Sequence, residues 1–413
     1  MQSVMPGIVP ESVPESAPTV WPPAPGTAPM WVRAGLVAGL DPDDCGDLRV
    51  FLADLPDPRG RQGRRYGYGA LVAIAAAAML GGANSVAAIA RWARDAPPEI
   101  LLALGVTAHR RTGRVPPPSV KTFRRLLKDL DGDALDAALA RWVSAQVATG
   151  RIVPGQVALA LDGKVMRGSA DTDGTVHLFA ALLHSEGVVT GQRSVPDKTG
   201  ETKAFAPLLD TLDIAGAIIT ADALHTVQAH ASYLRKRGAY YVFTVKENTP
   251  ALFDEIDALA WETEPIAWMT SDRAHGRDEL RTIKVLPAPP GLGFPGATQV
   301  MLIERYVTDR KTGKQTAVAV LAITNLTPCH ADPETLLTLI RGHWQIEVLH
   351  WLRDSATFRE DAHKLKTGRA RITATLRNLA INALRLAGEP IAAGRQWAAS
   401  EYHNPLSLLG LTM

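Results

Sequence analysis

The stretch QVALALDGK, residues 156–164, decides the fold class of this chain. It is an apolar run that ends at Asp162 and opens into a glycine-containing turn. A second run, GAIITADAL at residues 216–224, has the same form and ends at Asp222. Short, nearly continuous apolar runs are typical of strands that are covered on both faces. Helical patterns lie between and after the two runs, so we predict an α/β fold with a mixed sheet.

Two further stretches complete the predicted sheet. The pattern TVHLFAALLHSEGVVTGQRSV, residues 175–195, predicts a β-hairpin that turns at Glu186 and Gly187. The run YYVFTVKE, residues 240–247, predicts another buried strand. Strands 1 to 3 are therefore expected to follow one another directly, whereas helices separate strands 4 and 5.

Composition divides the 413 residues into several segments. The first of them is rich in Pro, Ala, Ser and Glu, which predicts a disordered tail. The second is helical, with Ser119 as the N-cap of one helix and Asp131 or Asp133 as the N-cap of the next. The expected order is a tail at 1–33, a helical N-terminal domain at 34–150, an α/β core at 151–260, a β-rich insertion at 261–330, the last part of the core at 331–390 and a C-terminal tail at 391–413.

The chain has 44 basic and 42 acidic residues, so its net charge says little about its partners. The distribution of charge along the sequence is more informative. One basic cluster lies on a predicted helix of the N-terminal domain. Another lies between Ala362 and Gly388, where the sequence has no acidic residue. Such clusters often bind phosphate, although a solvated helix face is an equally good interpretation of either cluster alone. The predicted DNA contacts in these clusters are Lys121, Arg124, Arg125, Arg369, Arg371 and Arg377.

The two cysteines and the apolar segments indicate in which cellular compartment the protein is expected. Cys45 and Cys329 are far apart in sequence, which argues against a disulfide scaffold and favours a reducing cytoplasm. The N-terminus has no signal-peptide pattern. The run GALVAIAAAAMLGGA, residues 69–83, is shorter than the ~20 residues of a membrane span. We therefore predict a buried core helix there and no membrane partner.

Aspartates at strand ends point to a functional site. Asp162 and Asp222 stand where buried strands open into loops, and ligand and catalytic residues of open α/β sheets gather at such ends. A turn or a helix cap is the alternative interpretation of each aspartate taken alone. Two of them, on strands that could be neighbours, make a shared site the better interpretation.

A third carboxylate, Glu347, lies on a helix predicted within RGHWQIEVLHWLRDSATFRED, residues 341–361. His343, His350 and Asp354 fall near the same face of that helix. Three converging carboxylates, without a cysteine or a dense histidine cluster, suit a hard cation. The three acids are therefore the predicted catalytic residues and the predicted ligands of Mg²⁺ or Mn²⁺.

Two tryptophans flank Glu347 on the same predicted helix. Trp344 and Trp351 could stack on an unpaired base close to a cleaved bond. Packing of the helix onto the sheet explains them more simply, and it is the expectation we adopt.

The motifs of this chain resemble those of DDE insertion-sequence transposases, in the H-repeat-associated (ISAs) branch. Five blocks carry the likeness in the order of the family: ALDGKVMRGS, ITADALHT, YYVFTVKEN, HGRDELR and HWQIEVLHWLRDSATFRED. The likeness extends from about Asp57 to Leu411. It implies an RNase H-like fold with a β-rich insertion before the last catalytic helix. It also implies metal-dependent cleavage and joining of DNA.

The resemblance assigns Asp162, Asp222 and Glu347 to the acidic triad of the family. Lys246 matches a lysine near the site, and His343 stands where the broader signature has an arginine, so both are expected to contact DNA. The implied partners are double-stranded DNA, as terminal inverted repeats and target, and a second copy of the chain. The implied setting is the bacterial cytoplasm, at the nucleoid.

Two other classes of function stay open on the residues alone. A zinc hydrolase could use His343, Glu347 and His350 as ligands, but the usual short spacing of two histidines with an adjacent general base is missing. A DNA-binding protein could keep the fold without catalysis, as an inactive or domesticated relative of a transposase.

Overall fold

The structure is a computed structural model. It describes residues 46–61, 64–146, 157–166, 169, 175–195, 200–362 and 367–411. The tail predicted at 1–33 lies outside the described residues, and so does Cys45.

Helices open the described part of the chain, as the sequence predicted. Ser119 Oγ accepts from the amide of Thr122 (3.3 Å), and Asp131 Oδ1 accepts from the amide of Asp133 (2.9 Å), so the cap of the second helix is Asp131. These helices are α1 (Leu48–Leu52), α2 (Tyr68–Leu80), α3 (Val86–Asp95), α4 (Pro98–Ala103), α5 (Val120–Asp129) and α6 (Gly132–Gln146).

The alanine-rich helix α2 is buried along almost its whole length, so the prediction of a core helix is confirmed. Its side chains are small and apolar on every side, which lets neighbouring helices approach it from several directions. Among the described residues, no helix is both long enough and apolar enough to cross a membrane.

One sheet of nine strands forms the centre of the fold, in the order β3-β2-β1-β4-β5-β9-β8-β7-β6. The strands are β1 (Ala158–Val165), β2 (His177–Leu183), β3 (Val189–Val195), β4 (Ile218–Ala221), β5 (Tyr240–Val245), β6 (Trp268–Ala274), β7 (Arg277–Pro287), β8 (Gln299–Asp309) and β9 (Gln315–Thr324).

The directions of the strands confirm the predicted fold class. β1, β2 and β3 are antiparallel and consecutive, whereas β4 and β5 run parallel to β1. The predicted hairpin turns at Gly187, which has a positive φ of 66°. β6 to β9 form an antiparallel meander, and β9 pairs with β5. The β-rich segment therefore extends the same sheet instead of forming a separate one.

Helices cover both faces of this sheet and continue to the end of the described chain. They are α7 (Gly200–Leu209), α8 (Gln228–Lys236), α9 (Pro250–Asp257), α10 (Pro333–His343), α11 (Gln345–Trp351), α12 (Thr367–Leu386), α13 (Ile391–Ser400) and α14 (His403–Leu408).

The single helix predicted from about residue 333 to 354 is interrupted. Its first part, α10, ends where the amide of Trp344 bonds back to the carbonyl of Arg341 (3.2 Å), a tight i−3 bond. The second part, α11, passes directly into a π-helical turn at Leu352–Ala356. Such π turns are frequent at functional sites, and this one follows the helix that carries Glu347.

The two faces of the sheet can be distinguished by the helices that cover them. Ala158, Ile218 and Val242 of β1, β4 and β5 pack in one cluster with Leu336 and Leu337 of α10. The residues that alternate with them belong to the larger core on the other face, which includes α7 and α8. Strand side chains alternate between the two faces of a sheet. The face on which a residue of β1 or β4 lies therefore follows from counting in steps of two from Ala158 or Ile218.

A buried polar network connects the N-terminal helices to the catalytic part of the chain. Gln192 of β3 donates to Asp136 of α6 (3.2 Å) and accepts from Asn378 of α12 (2.8 Å). Asn378 in turn accepts from Arg353 (3.3 Å), which lies in the π turn after α11 and makes two bonds to Glu360 (2.9 and 3.0 Å). The network therefore connects the π turn at the end of the Glu347 helix to α12, β3 and α6.

Glu360 neutralises two buried guanidinium groups. Besides Arg353, Arg377 lies 3.5 Å from it, and all three side chains are almost fully buried. Burial alone would raise the pKa of Glu360, but Arg353 and Arg377 hold it below its ordinary value. Glu360→Gln should cost ~3–5 kcal/mol in the free energy of unfolding, because it leaves charges buried without a counter-ion.

Denaturant unfolding measures this loss, and Glu334→Gln at an exposed position of α10 is the control, with an expected change within ~0.5 kcal/mol. The lowered pKa also gives a pH dependence. The carboxylate stabilises the fold above the ordinary carboxyl pKa, ~4.3, and less as pH falls below it. The advantage of the natural protein over the variant should therefore shrink in acid. Equal stability of the two proteins at neutral pH would contradict this account.

Candidate active site

Asp162 and Asp222 are placed side by side by the pairing of β1 with β4. The parallel register aligns Leu161 with Ala221, so the two aspartates occupy the next position on each strand. Neighbouring strands lie ~4.8 Å apart. Both aspartates follow the alternation that puts Ala158 and Ile218 beneath α10. Their carboxylates therefore belong to the face that α10 and α11 cover.

Glu347 approaches this face from α11. Two histidines on the same side of the interrupted helix contact the strands: Nδ1 of His343 lies 3.1 Å from Oγ1 of Thr220, and Nδ1 of His350 lies 3.5 Å from Asp162. Glu347 lies between these two contacts along the chain, and it lines the same cavity as Asp222. The sequence-based expectation that this helix face turns toward the sheet is thus met by the observed contacts.

Negative charge is crowded at this point. Burial, as the largest cause, and the carboxylates of Asp222, Glu201 and Glu347 together raise the pKa of Asp162 to about 7, while the Gly163 amide opposes the shift. That amide donates to Oδ1 of Asp162 (2.8 Å). A carboxylate cluster of this kind is stabilised when a cation shares it.

Oxygen donors alone make up this cluster, and they fit a hard divalent cation such as Mg²⁺ or Mn²⁺. Throughout the described ranges, no three Asp, Glu, His or Cys side chains stand close enough together to form a complete metal site. The zinc alternative loses support, because His343 contacts Thr220 and His350 contacts Asp162 instead of converging on Glu347.

The two residues that follow Asp162, Gly163 and Lys164, each have a structural role on β1. Gly163 lies on the opposite face of β1, where a Cβ atom would overlap the carboxylate of Glu201. Glu201 is buried there and lies 2.7 Å from Nε2 of His177. Lys164 returns to the α11 face and forms an ion pair with Asp354 in the π turn. One strand therefore carries Asp162, leaves room for the buried Glu201 on its other face and anchors the Glu347 helix.

A cavity of about 450 Å³ opens beside the carboxylates. Lys246 and His343, both expected near DNA, line it together with Asp222 and Glu347. Lys246 is exposed, whereas burial lowers the pKa of His343 to about 4, so the imidazole is neutral near pH 7. Of the two predicted contacts, only Lys246 brings a positive charge to this cavity at neutral pH.

Sequence reasoning missed several residues of this cavity. Arg281 and Arg305 come from β7 and β8 of the β-rich segment, and Arg341 comes from α10. The sequence offered only a weak signal, namely an arginine within HGRDELR, because the register of β7 and β8 could not be read from it. Glu201, which lies outside this cavity behind Gly163, was not singled out from the sequence either.

The predicted DNA contacts outside the cavity occupy two different environments. Lys121, Arg124 and Arg125 are exposed on α5, where solvent or a duplex can reach them. Arg371 instead pairs with Asp133 and Asp136 of α6, and Arg377 is fully buried beside Glu360.

The absence of acids between Ala362 and Gly388 thus has a structural explanation for Arg371 and Arg377. Their counter-ions come from other helices, so these two side chains join elements of the fold. Arg369 is half-buried, and its role as a DNA contact stays a prediction.

The expectation that both tryptophans pack onto the sheet is wrong. Trp351 is 59% exposed and Trp344 is 39% exposed. The ring of Trp344 lies beneath two guanidinium groups, with Arg281 Cζ 5.5 Å and Arg305 Cζ 5.2 Å from its centre. Trp344 therefore meets the sheet through side chains of β7 and β8, whereas His343 and His350 contact β4 and β1.

Gly163 offers a direct test of the packing behind Asp162. Gly163→Ala should lower the free energy of unfolding by ~1–3 kcal/mol, because the new methyl group overlaps Glu201 and must displace it or the strand. Thermal or denaturant unfolding measures the change. Gly60→Ala is the matched control, since no atom lies within 4 Å of the position of its added Cβ. Equal stability of the two variants would show that Glu201 does not press against β1.

Comparison with known proteins agrees with this geometry. The family model described as DDE_Tnp_1-associated matches residues 50–143, and the model described as Transposase DDE domain matches residues 154–383. Protein YbfL and the H repeat-associated protein YhhI, both of Escherichia coli (strain K12), are 31% and 30% identical to this chain over 244 residues, or 55% of it. The chain spans 63% of the length of each of these two relatives.

A piggyBac transposase synaptic complex with hairpin DNA is similar in structure at a TM-score of 0.39 and 10% identity, over 92% of this chain and 80% of that one. This likeness is too weak to carry an argument. The domain model alone spans more than half of the 413 residues, and the triad positions lie within it. The chain belongs to the family of transposases with a DDE domain.

Proposed function

We propose that this chain cuts and joins DNA at the ends of an insertion sequence, with Asp162, Asp222 and Glu347 as ligands of Mg²⁺ or Mn²⁺. The observation that carries the proposal is the register of β1 and β4. It puts two carboxylates side by side on the face that the Glu347 helix covers.

Each carboxylate has a definite support in the fold. The Gly163 amide orients Asp162, and the Leu224 amide donates to Asp222 Oδ1 (3.1 Å). The Lys164–Asp354 ion pair fixes α11 against β1 and thereby fixes how far Glu347 stands from Asp162. A bound divalent ion would lower the pKa of the attacking water and stabilise the developing charge on a phosphodiester. The protein's own part is to hold the oxygen ligands before DNA arrives.

The cavity beside the triad gives the DNA strand a place to enter. Lys246 lies at its wall and can contact a phosphate, whereas the neutral ring of His343 can offer only a hydrogen bond. We extend the proposal to the partners implied by the family: terminal inverted repeats, target DNA and a second copy of the chain, in the bacterial cytoplasm at the nucleoid.

The triad is tested by isosteric replacement. Glu347→Gln, Asp162→Asn and Asp222→Asn should each reduce cleavage of a terminal-repeat duplex by several orders of magnitude, because each removes a charged metal ligand. The triple variant should be little worse than a single one, since the three residues act as a unit. Nicking assays with Mg²⁺ or Mn²⁺ measure the effect.

Glu334→Gln is the matched control for Glu347→Gln, because Glu334 is exposed at the far end of α10. Duplex binding without metal should be unchanged in all variants. Cleavage should survive a zinc-selective chelator. Binding without any nicking by the natural protein would favour the alternative of a DNA-binding relative that has lost catalysis.

The exposed cations of α5 are tested through salt dependence. Arg124→Ala should weaken duplex binding and reduce the slope of log affinity against log salt by ~0.9, because one phosphate contact releases about one counter-ion. Lys236→Ala is the control. It removes an exposed cation from α8, which packs on the face of the sheet away from α10. The same change of slope in both variants would show that α5 has no special part in binding.

A further inference from the structure

Two arginines stand directly opposite each other on the β-rich part of the sheet. The antiparallel register pairs Arg281 of β7 with Arg305 of β8 and places Val318 of β9 next to Arg305. Like charges directly across a strand pair are destabilising. Two guanidinium groups held opposite each other in regular strands therefore need partners that offset their repulsion.

The pair is held in place from two sides. Glu279 bonds to both guanidinium groups, at 2.6 Å in the case of Arg305. The ring of Trp344 lies 5.5 Å and 5.2 Å from the two guanidinium carbons, within the range of a cation–π contact. Because Trp344 is the residue between α10 and α11, this contact links the arginines to the helix that carries Glu347.

Several cations lie close together around the arginine pair. Lys246 and Arg341 line the same cavity, so four cations share it. Asp272 pairs with Arg341 (2.7 Å) and lies 3.5 Å from Arg281, and Glu279 pairs with Arg281 and Arg305. The carboxylates of Asp222 and Glu347 line the same cavity. Burial lowers the pKa of Arg281, and Arg341 and Arg305 lower it further. An anion in the cavity would relieve this repulsion.

Part of the Arg305 side chain is accessible from the cavity. Within the part of the chain that the structure describes, Nε of Arg305 is buried and has no hydrogen-bond acceptor. Arg305 is nevertheless about one-third exposed through the rest of its side chain, toward the cavity that Asp222 and Glu347 also line. Guanidinium groups suit phosphate, since they present several donors in a fixed plane.

We infer that Arg281 and Arg305, braced by Trp344 and Glu279, form a binding site for a backbone phosphate of the DNA strand that enters the active site. This inference rests on the proposed function and names its substrate contact. The β-rich segment then supplies the positive charge that the neutral His343 does not supply. Trp344 is a positioning residue for the arginine pair.

The test combines one side-chain change with one change in the DNA. Phosphates near the cleavage point of a terminal-repeat duplex are replaced one at a time by neutral methylphosphonate. Cleavage with Mg²⁺ and binding without divalent metal are measured for the natural protein and for Arg305→Ala. On unmodified DNA, Arg305→Ala should reduce cleavage by about 10- to 100-fold, the value of a hydrogen bond between charged groups.

The decisive quantity is the coupling between the two changes. One phosphate should be important to the natural protein and unimportant to Arg305→Ala, because both changes remove the same contact. Arg305→Lys should retain part of the coupling. Arg273→Ala, at an exposed position of β6 that pairs with Asp278, should leave every phosphate effect as it is in the natural protein.

Each outcome has a distinct meaning. Losses that simply add at every phosphate, or an Arg305→Ala protein that equals the natural one, would overturn the inference. If the natural protein does not cleave unmodified DNA, the proposed function fails, and the same coupling is then sought in the binding data. Trp344→Leu should weaken the effect of the same phosphate, and unfolding curves identify any variant that loses its fold.

Discussion

Burial of negative charge is the constraint on which this structure depends. Burial is the largest cause that raises the pKa of Asp162 to about 7, and the carboxylates of Asp222, Glu201 and Glu347 contribute to the rise. A chain does not assemble such a cluster without opposing forces. Here they come from strand pairing, from α10 packed on Ala158 and Ile218, and from the Lys164–Asp354 ion pair. The positions of the two aspartates and of the Glu347 helix are therefore set by packing and pairing within the core.

The β-rich segment is also fixed by strand pairing, because it continues the central sheet. Because β9 pairs with β5, the strands that carry Arg281 and Arg305 are held rigidly relative to Asp222, at the end of β4. A flexible insertion could not hold two like charges across one strand pair. Two of the acids, Asp222 and Glu347, thus line one cavity with Arg281 and Arg305.

Sequence patterns predicted the strands and the triad positions because these depend on local features: apolar runs, acids at strand ends and caps such as Ser119. Burial of individual cations could not be predicted in this way. Arg377 looked like a surface charge because its counter-ion, Glu360, comes from a separate turn. Trp344 looked like a core residue because its partners, Arg281 and Arg305, are set by the register of distant strands. Contacts between remote segments were the part that the sequence did not reveal.

The central claim is that three oxygen ligands from β1, β4 and α11 share a divalent cation. Anomalous scattering from Mn²⁺ in crystals of the natural protein tests it most directly. The account predicts an anomalous peak among the carboxylates of Asp162, Asp222 and Glu347, within the 2.0–2.6 Å or so typical of such ligands. It also predicts that the peak is lost in Glu347→Gln crystals. A peak bound by His343 or His350 instead, or no peak near Asp162 at saturating Mn²⁺, would contradict the account.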